Sequence, residues 1–134
     1  MNNEILEKMI NEAKDVCDKN FCCKYSNFSV GAALLTKSGK IYTGMNIENN
    51  GIQSICAERV AFSKALSEMN NDFDSIVVIS KEKSSNKFSK VLPCGYCRQF
   101  ISEYAGENFN IYTCDGDEII HYKLGDLLPH NFDF

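Results

Sequence analysis

The chain has 134 residues, 44% of them hydrophobic and 24% charged, and 14 Lys and Arg against 18 Asp and Glu leave a net charge of −4. That length suits a single domain over residues 1–134, large enough to bury roughly two thirds of its unfolded surface, and the near-average composition excludes disordered and fibrous classes. The negative balance argues against a nucleic-acid binder, which needs a basic footprint for phosphates, and no apolar run approaches the ~20 residues of a membrane helix.

From Asn3 the apolar residues Ile5, Leu6, Met9, Ile10, Ala13, Val16 and Cys17 recur at helical spacing, predicting a helix that ends near Lys19-Asn20. Residues 29–36 (SVGAALLT) form a short, almost unbroken apolar run, as a strand covered on both faces does. Lys37-Ser38-Gly39-Lys40 supplies a turn, and residues 41–46 read as the hairpin partner. Ala57, Val60, Ala61, Ala65, Leu66 and Met69 predict a second helix, and residues 75–80, with IVVI, a buried strand. Residues 81–90 are polar and lysine-rich and read as a solvated loop. A helix is expected over 94–104, two strands over 109–114 and 118–122 around Asp115-Gly116-Asp117, and a short helix near 124–128 before Pro129. The order αββαβαββα indicates an α/β fold: a three-layer α/β/α sandwich around a mixed five-stranded sheet.

Seven cysteines (Cys17, Cys22, Cys23, Cys56, Cys94, Cys97 and Cys114) are many for this length. Their odd number, and an N-terminus without a secretory apolar core, argue against a disulfide framework and lead to an expected cytoplasmic location. Two segments concentrate the chemistry: Cys56-Ala57-Glu58-Arg59 and Pro93-Cys94-Gly95-Tyr96-Cys97-Arg98-Gln99. Each reads as a helix start, with Pro93 suited to the first helical position. Cys94 and Cys97 then share one face of one turn, and Cys56 can add a third thiolate. Thiolate ligands favour Zn²⁺. Three protein ligands leave one tetrahedral position for water, as catalytic zinc sites do, and Glu58 stands close enough to move that water's proton. Two helix N-termini and Arg59 would offset the excess negative charge of three thiolates.

C-x-E followed by P-C-x-x-C is the three-cysteine form of the zinc deaminase signature, and the chain resembles the small homotetrameric cytidine deaminases over nearly its whole length. The resemblance is carried by residues 25–33 (YSNFSVGAA), 46–49 (NIEN), 56–59 (CAER), 93–99 (PCGYCRQ) and 127–132 (LLPHNF). It implies hydrolytic deamination of cytidine and deoxycytidine in pyrimidine salvage. One zinc per chain would be held by Cys56, Cys94 and Cys97, Glu58 would shuttle protons, and Arg59 would hydrogen-bond the bound thiolates. Asn46 and Glu48 match the pair that binds the ribose 3′-hydroxyl, and Phe28 an aromatic residue against the base. Peptide groups around Ala57 and Cys94 would meet the pyrimidine edge. Phe132 matches a phenylalanine that reaches the base bound by a neighbouring subunit, which implies a homotetramer with shared active sites. The expected partner is a small nucleoside, with neither nucleic acid nor membrane.

Between Glu48 and Cys56 the chain is one residue shorter than typical members and lacks the aromatic residue often found there. A compact loop here also occurs in blasticidin S deaminases, but those lack the Asn-x-Glu pair kept as Asn46 and Glu48. A redox Cys94-Gly95-Tyr96-Cys97 motif would leave Cys56 and Glu58 unexplained. A structural, non-catalytic zinc site would need a fourth ligand, for which His121, His130 and Cys114 qualify by type. Cys17, Cys22, Cys23 and Cys114 are expected to act as small apolar side chains.

Overall fold

In a computed structural model that describes residues 2–133, the elements run α1 (Asn3–Lys19), β1 (Phe28–Thr36), β2 (Ile41–Met45), α2 (Ala57–Ser67), β3 (Phe73–Glu82), α3 (Gly95–Tyr104), β4 (Asn110–Asp115), β5 (Glu118–Lys123) and α4 (Leu124–Leu127). The strands form one sheet in the order β2-β1-β3-β4-β5. Short turns make β1–β2 and β4–β5 antiparallel, and β1 and β3 are antiparallel as well. Between β3 and β4 the chain crosses over through α3, which makes that pair parallel. Gly39 (φ +99°) and Gly116 (φ +62°) supply the left-handed backbone the two hairpin turns need.

Burial on both faces explains why β1 lacks the alternation of a half-exposed strand. Ala33 and Leu35 pack with Val77 and Ile79 under Met9, Ile10, Ala13 and Cys17 of α1. Ala32 and Leu34 point the other way, packing with Ile76 and Val78 against Ala57, Ala61 and Phe62 of α2 and Ile101 of α3. Phe62 centres this second layer, its ring 4.8 Å from that of Phe73 and 5.9 Å from that of Phe109. The three expected layers are therefore α1, the mixed sheet, and α2 with α3.

Two glycines set how closely the helices approach. A Cβ on Gly31 would lie 2.2 Å from the Ala13 carbonyl oxygen, and one on Gly44 would lie 2.5 Å from that of Ala57. Both distances are far inside van der Waals contact, so the bare backbone of β1 seats α1 and that of β2 seats α2.

The sequence expectations shift in three places. Pro93 is not the first helical residue: Cys94 caps α3 with extended backbone and a sulfur that accepts the Cys97 N–H at 3.4 Å, so the helix begins at Gly95. Residues 81 and 82 belong to β3 rather than a solvated loop. The Lys81 side chain is only 12% exposed and pairs with Asp18, and Phe88 of the following segment lies against both Lys14 and Lys81. The second helix stops at Ser67, because Met69 takes a left-handed backbone (φ +66°). Cys17, Cys23 and Cys114 are buried as expected, whereas Cys22 is only half-buried.

Candidate active site

Strand direction gathers the chemistry at one edge of the sheet. β1 begins where β2 and β3 end, as the pairs Gly31–Met45 and Phe28–Glu82 record. Just beyond that edge α2 opens after its cap Cys56, and α3 opens after its cap Cys94. The Sγ atoms of Cys56, Cys94 and Cys97 lie within 4.8 Å of one another, and Cys56 Sγ is 3.7 Å from Cys94 Sγ. Tetrahedral Zn²⁺ with Zn–S bonds of ~2.3 Å sets its sulfurs about 3.8 Å apart. The donor set and spacing therefore fit zinc. Cys56 leaves the α2 end uncapped by its side chain and turns its sulfur to the cluster.

The surroundings favour negative charge on sulfur. The Cys97 thiol donates to Cys56, and Arg59 and Cys94 add to the effect, holding the Cys56 thiol well below its usual range. Cys97 moves the opposite way because it is the donor and is buried. Arg59 Nη2 lies 3.7 Å from Cys56 Sγ, and the Arg59 guanidinium rests on the Tyr96 ring, 4.2 Å from its centroid. No other Cys, His, Asp or Glu joins this group of three among the described residues. Cys114 is instead in the core under α1, and His121 stacks on Tyr112 while bonding Asn110 at 2.9 Å. His130 lies after α4 in left-handed backbone, with φ +54°. A tetrahedral ion held by these three sulfurs would keep a fourth position free of any further Cys, His, Asp or Glu among the described residues, as catalytic rather than structural zinc does.

Glu58 is 4% exposed in the first turn of α2. Burial pushes its carboxyl up to about 7, against the lowering effect of its own backbone N–H. A carboxyl poised there can both accept and release a proton near neutrality.

The expected nucleoside-binding residues share the same edge but are tied to their own chain. Asn46 Oδ1 accepts from the Val30 N–H at 3.0 Å and from Asn20 Nδ2 at 2.6 Å, while Asn46 Nδ2 donates to the Phe28 carbonyl at 2.9 Å. The amide thereby fixes the start of β1, where half-buried Phe28 sits. Glu48 Oε1 accepts from the backbone N–H groups of Tyr25 and Ser26 at 2.9 and 3.1 Å, and Oε2 from Ser26 Oγ at 2.5 Å. The Ser26 hydroxyl leads in holding the Glu48 carboxyl below its usual range. Phe132 is 63% exposed, and its carbonyl accepts from Gln99 Nε2 of α3 at 3.3 Å.

Four residues that position this site are not apparent from the sequence. Asn20 reads there as a helix stop, yet it is fully buried and links α1 to Asn46. Ser26 holds Glu48, and Tyr96 covers Arg59. Arg98 ties the Pro93 carbonyl (2.7 Å) to that of Leu127 (2.8 Å), anchoring the loop that delivers Cys94. A cation in the first half of a helix, against the dipole, is the one available signal for Arg98; the others depend on contacts distant in sequence.

Known proteins share the fold, and a family model spans the cysteine cluster. A family model described as the cytidine and deoxycytidylate deaminase zinc-binding region matches residues 3–113. A probable cytidine deaminase of Dictyostelium discoideum is 49% identical over 105 residues, covering 78% of this chain and 68% of its own. A blasticidin-S deaminase of Bacillus cereus is 35% identical over 104 residues, 75% of this chain and 74% of its own. The crystal structure of cytidine deaminase from Burkholderia pseudomallei superposes with a TM-score of 0.83 at 32% identity, covering 98% of this chain and all of that one. With three thiolates at zinc spacing, a buried glutamic acid beside them and these relatives, the chain belongs to the cytidine and deoxycytidylate deaminase zinc-binding family.

Proposed function

We propose that the chain converts cytidine and deoxycytidine, with water, to uridine and deoxyuridine plus ammonia. The observation that carries this reading is the buried Glu58 carboxyl held two residues from Cys56 of a three-thiolate cluster. Zn²⁺ bound by Cys56, Cys94 and Cys97 would supply a fourth position at which water is acidified and oriented. Glu58 takes a proton from that water as its oxygen adds to C4 of the ring. It passes that proton to N3, which makes C4 more electrophilic, then takes the second proton from the oxygen now on C4 and delivers it to the amino group, which leaves as ammonia as the C4 carbonyl forms. Peptide groups at Ala57 and Cys94 fix the pyrimidine edge, Phe28 lies against the base, and Asn46 with Glu48 anchors the ribose. The ionised Glu48 keeps accepting capacity for a sugar hydroxyl beyond its three protein donors.

The same reading makes residues 1–134 one domain, since the central strand pair β1–β3 joins segments from both halves of the chain. It places the chain in pyrimidine salvage as a cytoplasmic homotetramer in which Phe132 closes a neighbour's site. Support for self-association comes from apolar side chains without cover: Ile52 is 101% exposed, and Ile47 and Ile55 beside it are partly so. Seven free cysteines suit a reducing compartment, and no helix among the described residues is long and apolar enough to cross a membrane.

The test is zinc-quantified turnover of cytidine, followed by the ultraviolet change and released ammonia, with blasticidin S in parallel. Wild type should hold about one zinc per chain and form uridine, and Glu58→Gln should keep the zinc while losing on the order of 10²–10⁴ in kcat. Near-normal turnover by Glu58→Gln would remove the proton-shuttle role. Zinc with turnover of blasticidin S alone would reassign the substrate.

A further inference from the structure

Arg59 carries its charge where a helix least accommodates it. It is the third residue of α2, within the turn where the macrodipole disfavours cations, and the N-terminus of α3 adds a second positive end to the same site. Its contact with Cys56 Sγ, at 3.7 Å, is a long bond to a weak acceptor, and its Nε is buried without a hydrogen-bond partner. Tyr96 supplies a further restraint. It is the second residue of α3, between Gly95 and Cys97, and its ring lies over the guanidinium, 4.2 Å from centroid to Cζ. At 66% exposure the Tyr96 side chain adds little to any core. A large ring left outside the core and laid on a cation is placed for that cation.

We propose that Tyr96 is a positioning residue for the metal centre: its ring clamps the Arg59 guanidinium against the thiolates and thereby slows loss of the metal. This rests on Cys56, Cys94 and Cys97 being the zinc ligands. An N–H directed at a ligand sulfur holds that sulfur in place, and the guanidinium above it covers it from solvent. Without the ring, Arg59 is free to turn toward water, and the thiolates lose both their donor and their cover.

Zinc release from the loaded protein to a chromogenic chelator at pH 7 reads this without reference to substrate. Tyr96→Ala should release zinc about five-fold faster, equivalent to about 1 kcal/mol at 1.4 kcal/mol per tenfold, the weight of a partly exposed cation–π contact. Tyr96→Phe, which keeps the ring, should release at the wild-type rate. In an Arg59→Gln background, already faster, Tyr96→Ala should add nothing further, because the two residues act through one contact. Wild-type release from Tyr96→Ala, fast release from Tyr96→Phe, or additive effects in the double variant would each overturn the proposal. Zinc stoichiometry of the wild type separates the failures: a chain without zinc loses the ligand assignment, whereas a zinc-loaded chain indifferent to Tyr96 loses only the clamp.

Discussion

Glu58 is kept at a cost to the fold. Its carboxyl is raised from the usual 4.5 to about 7 by burial, so the folded chain binds its proton more tightly than the unfolded chain does. The sign follows: stability is highest while both states are protonated and falls as pH rises through that window. Glu58→Gln removes the titration and should stabilise the chain by about 2–4 kcal/mol above pH 8, with a much smaller gain at pH 5. Denaturant unfolding of both forms after zinc chelation, at pH 5 and pH 8.5, measures the difference. A gain equal at both pH values would show that Glu58 is not penalised by burial. Together with the expected loss of turnover, the gain would make Glu58 a group retained for chemistry against stability.

At the scale of elements, the close seating of helices on glycine gives the sheet two different duties. Gly44→Ala would drive a methyl group into the Ala57 carbonyl and the Ala61 nitrogen, at 2.5 and 2.7 Å, and so lift the end of α2 that carries Cys56 and Glu58. Gly31→Ala would push α1 instead, on the opposite face. Both should lower stability by about 1–3 kcal/mol or more, the usual cost of overpacking against unyielding backbone. Zinc retained per folded molecule should fall in Gly44→Ala and hold in Gly31→Ala; equal zinc loss in both would show that α2 does not position the ligands. These elements are largely legible in the sequence, because α1 announces itself by period and β1 by its unbroken apolar run. The cysteines, Glu58 and Arg59 are legible because two helix starts concentrate them within a few residues each. Contacts between distant segments are not. Asn20 reaches Asn46 across 26 positions, and nothing local in either residue marks that bond. The start of α3 lies two residues after Pro93, a familiar helix opener, whereas a cysteine acting as cap shows itself only once its sulfur meets the Cys97 N–H.

For the whole molecule the open question is whose site Phe132 serves. Its carbonyl is held by Gln99 of its own α3, which keeps the tail on its own chain, yet its side chain remains 63% exposed. An exposed aromatic ring on a pinned backbone is well placed to enter a neighbouring chain, and the uncovered Ile47, Ile52 and Ile55 offer an apolar surface for one. In the proposed homotetramer Phe132 and Glu58 of one chain therefore act in different sites. Two inactive variants distinguish this from a self-contained chain. Glu58→Gln lacks the proton carrier but keeps a Phe132 to lend, and Phe132→Ala keeps the carrier but lends nothing. Unfolded together and refolded as a mixture, they should regain activity far above the sum of the two alone, approaching roughly a quarter of the wild-type sites by random assortment in a closed symmetric assembly. Activity no greater than that sum, with assembly intact by sedimentation, would return Phe132 to its own chain's site. A monomer in the same sedimentation run would show that each site is complete within one chain.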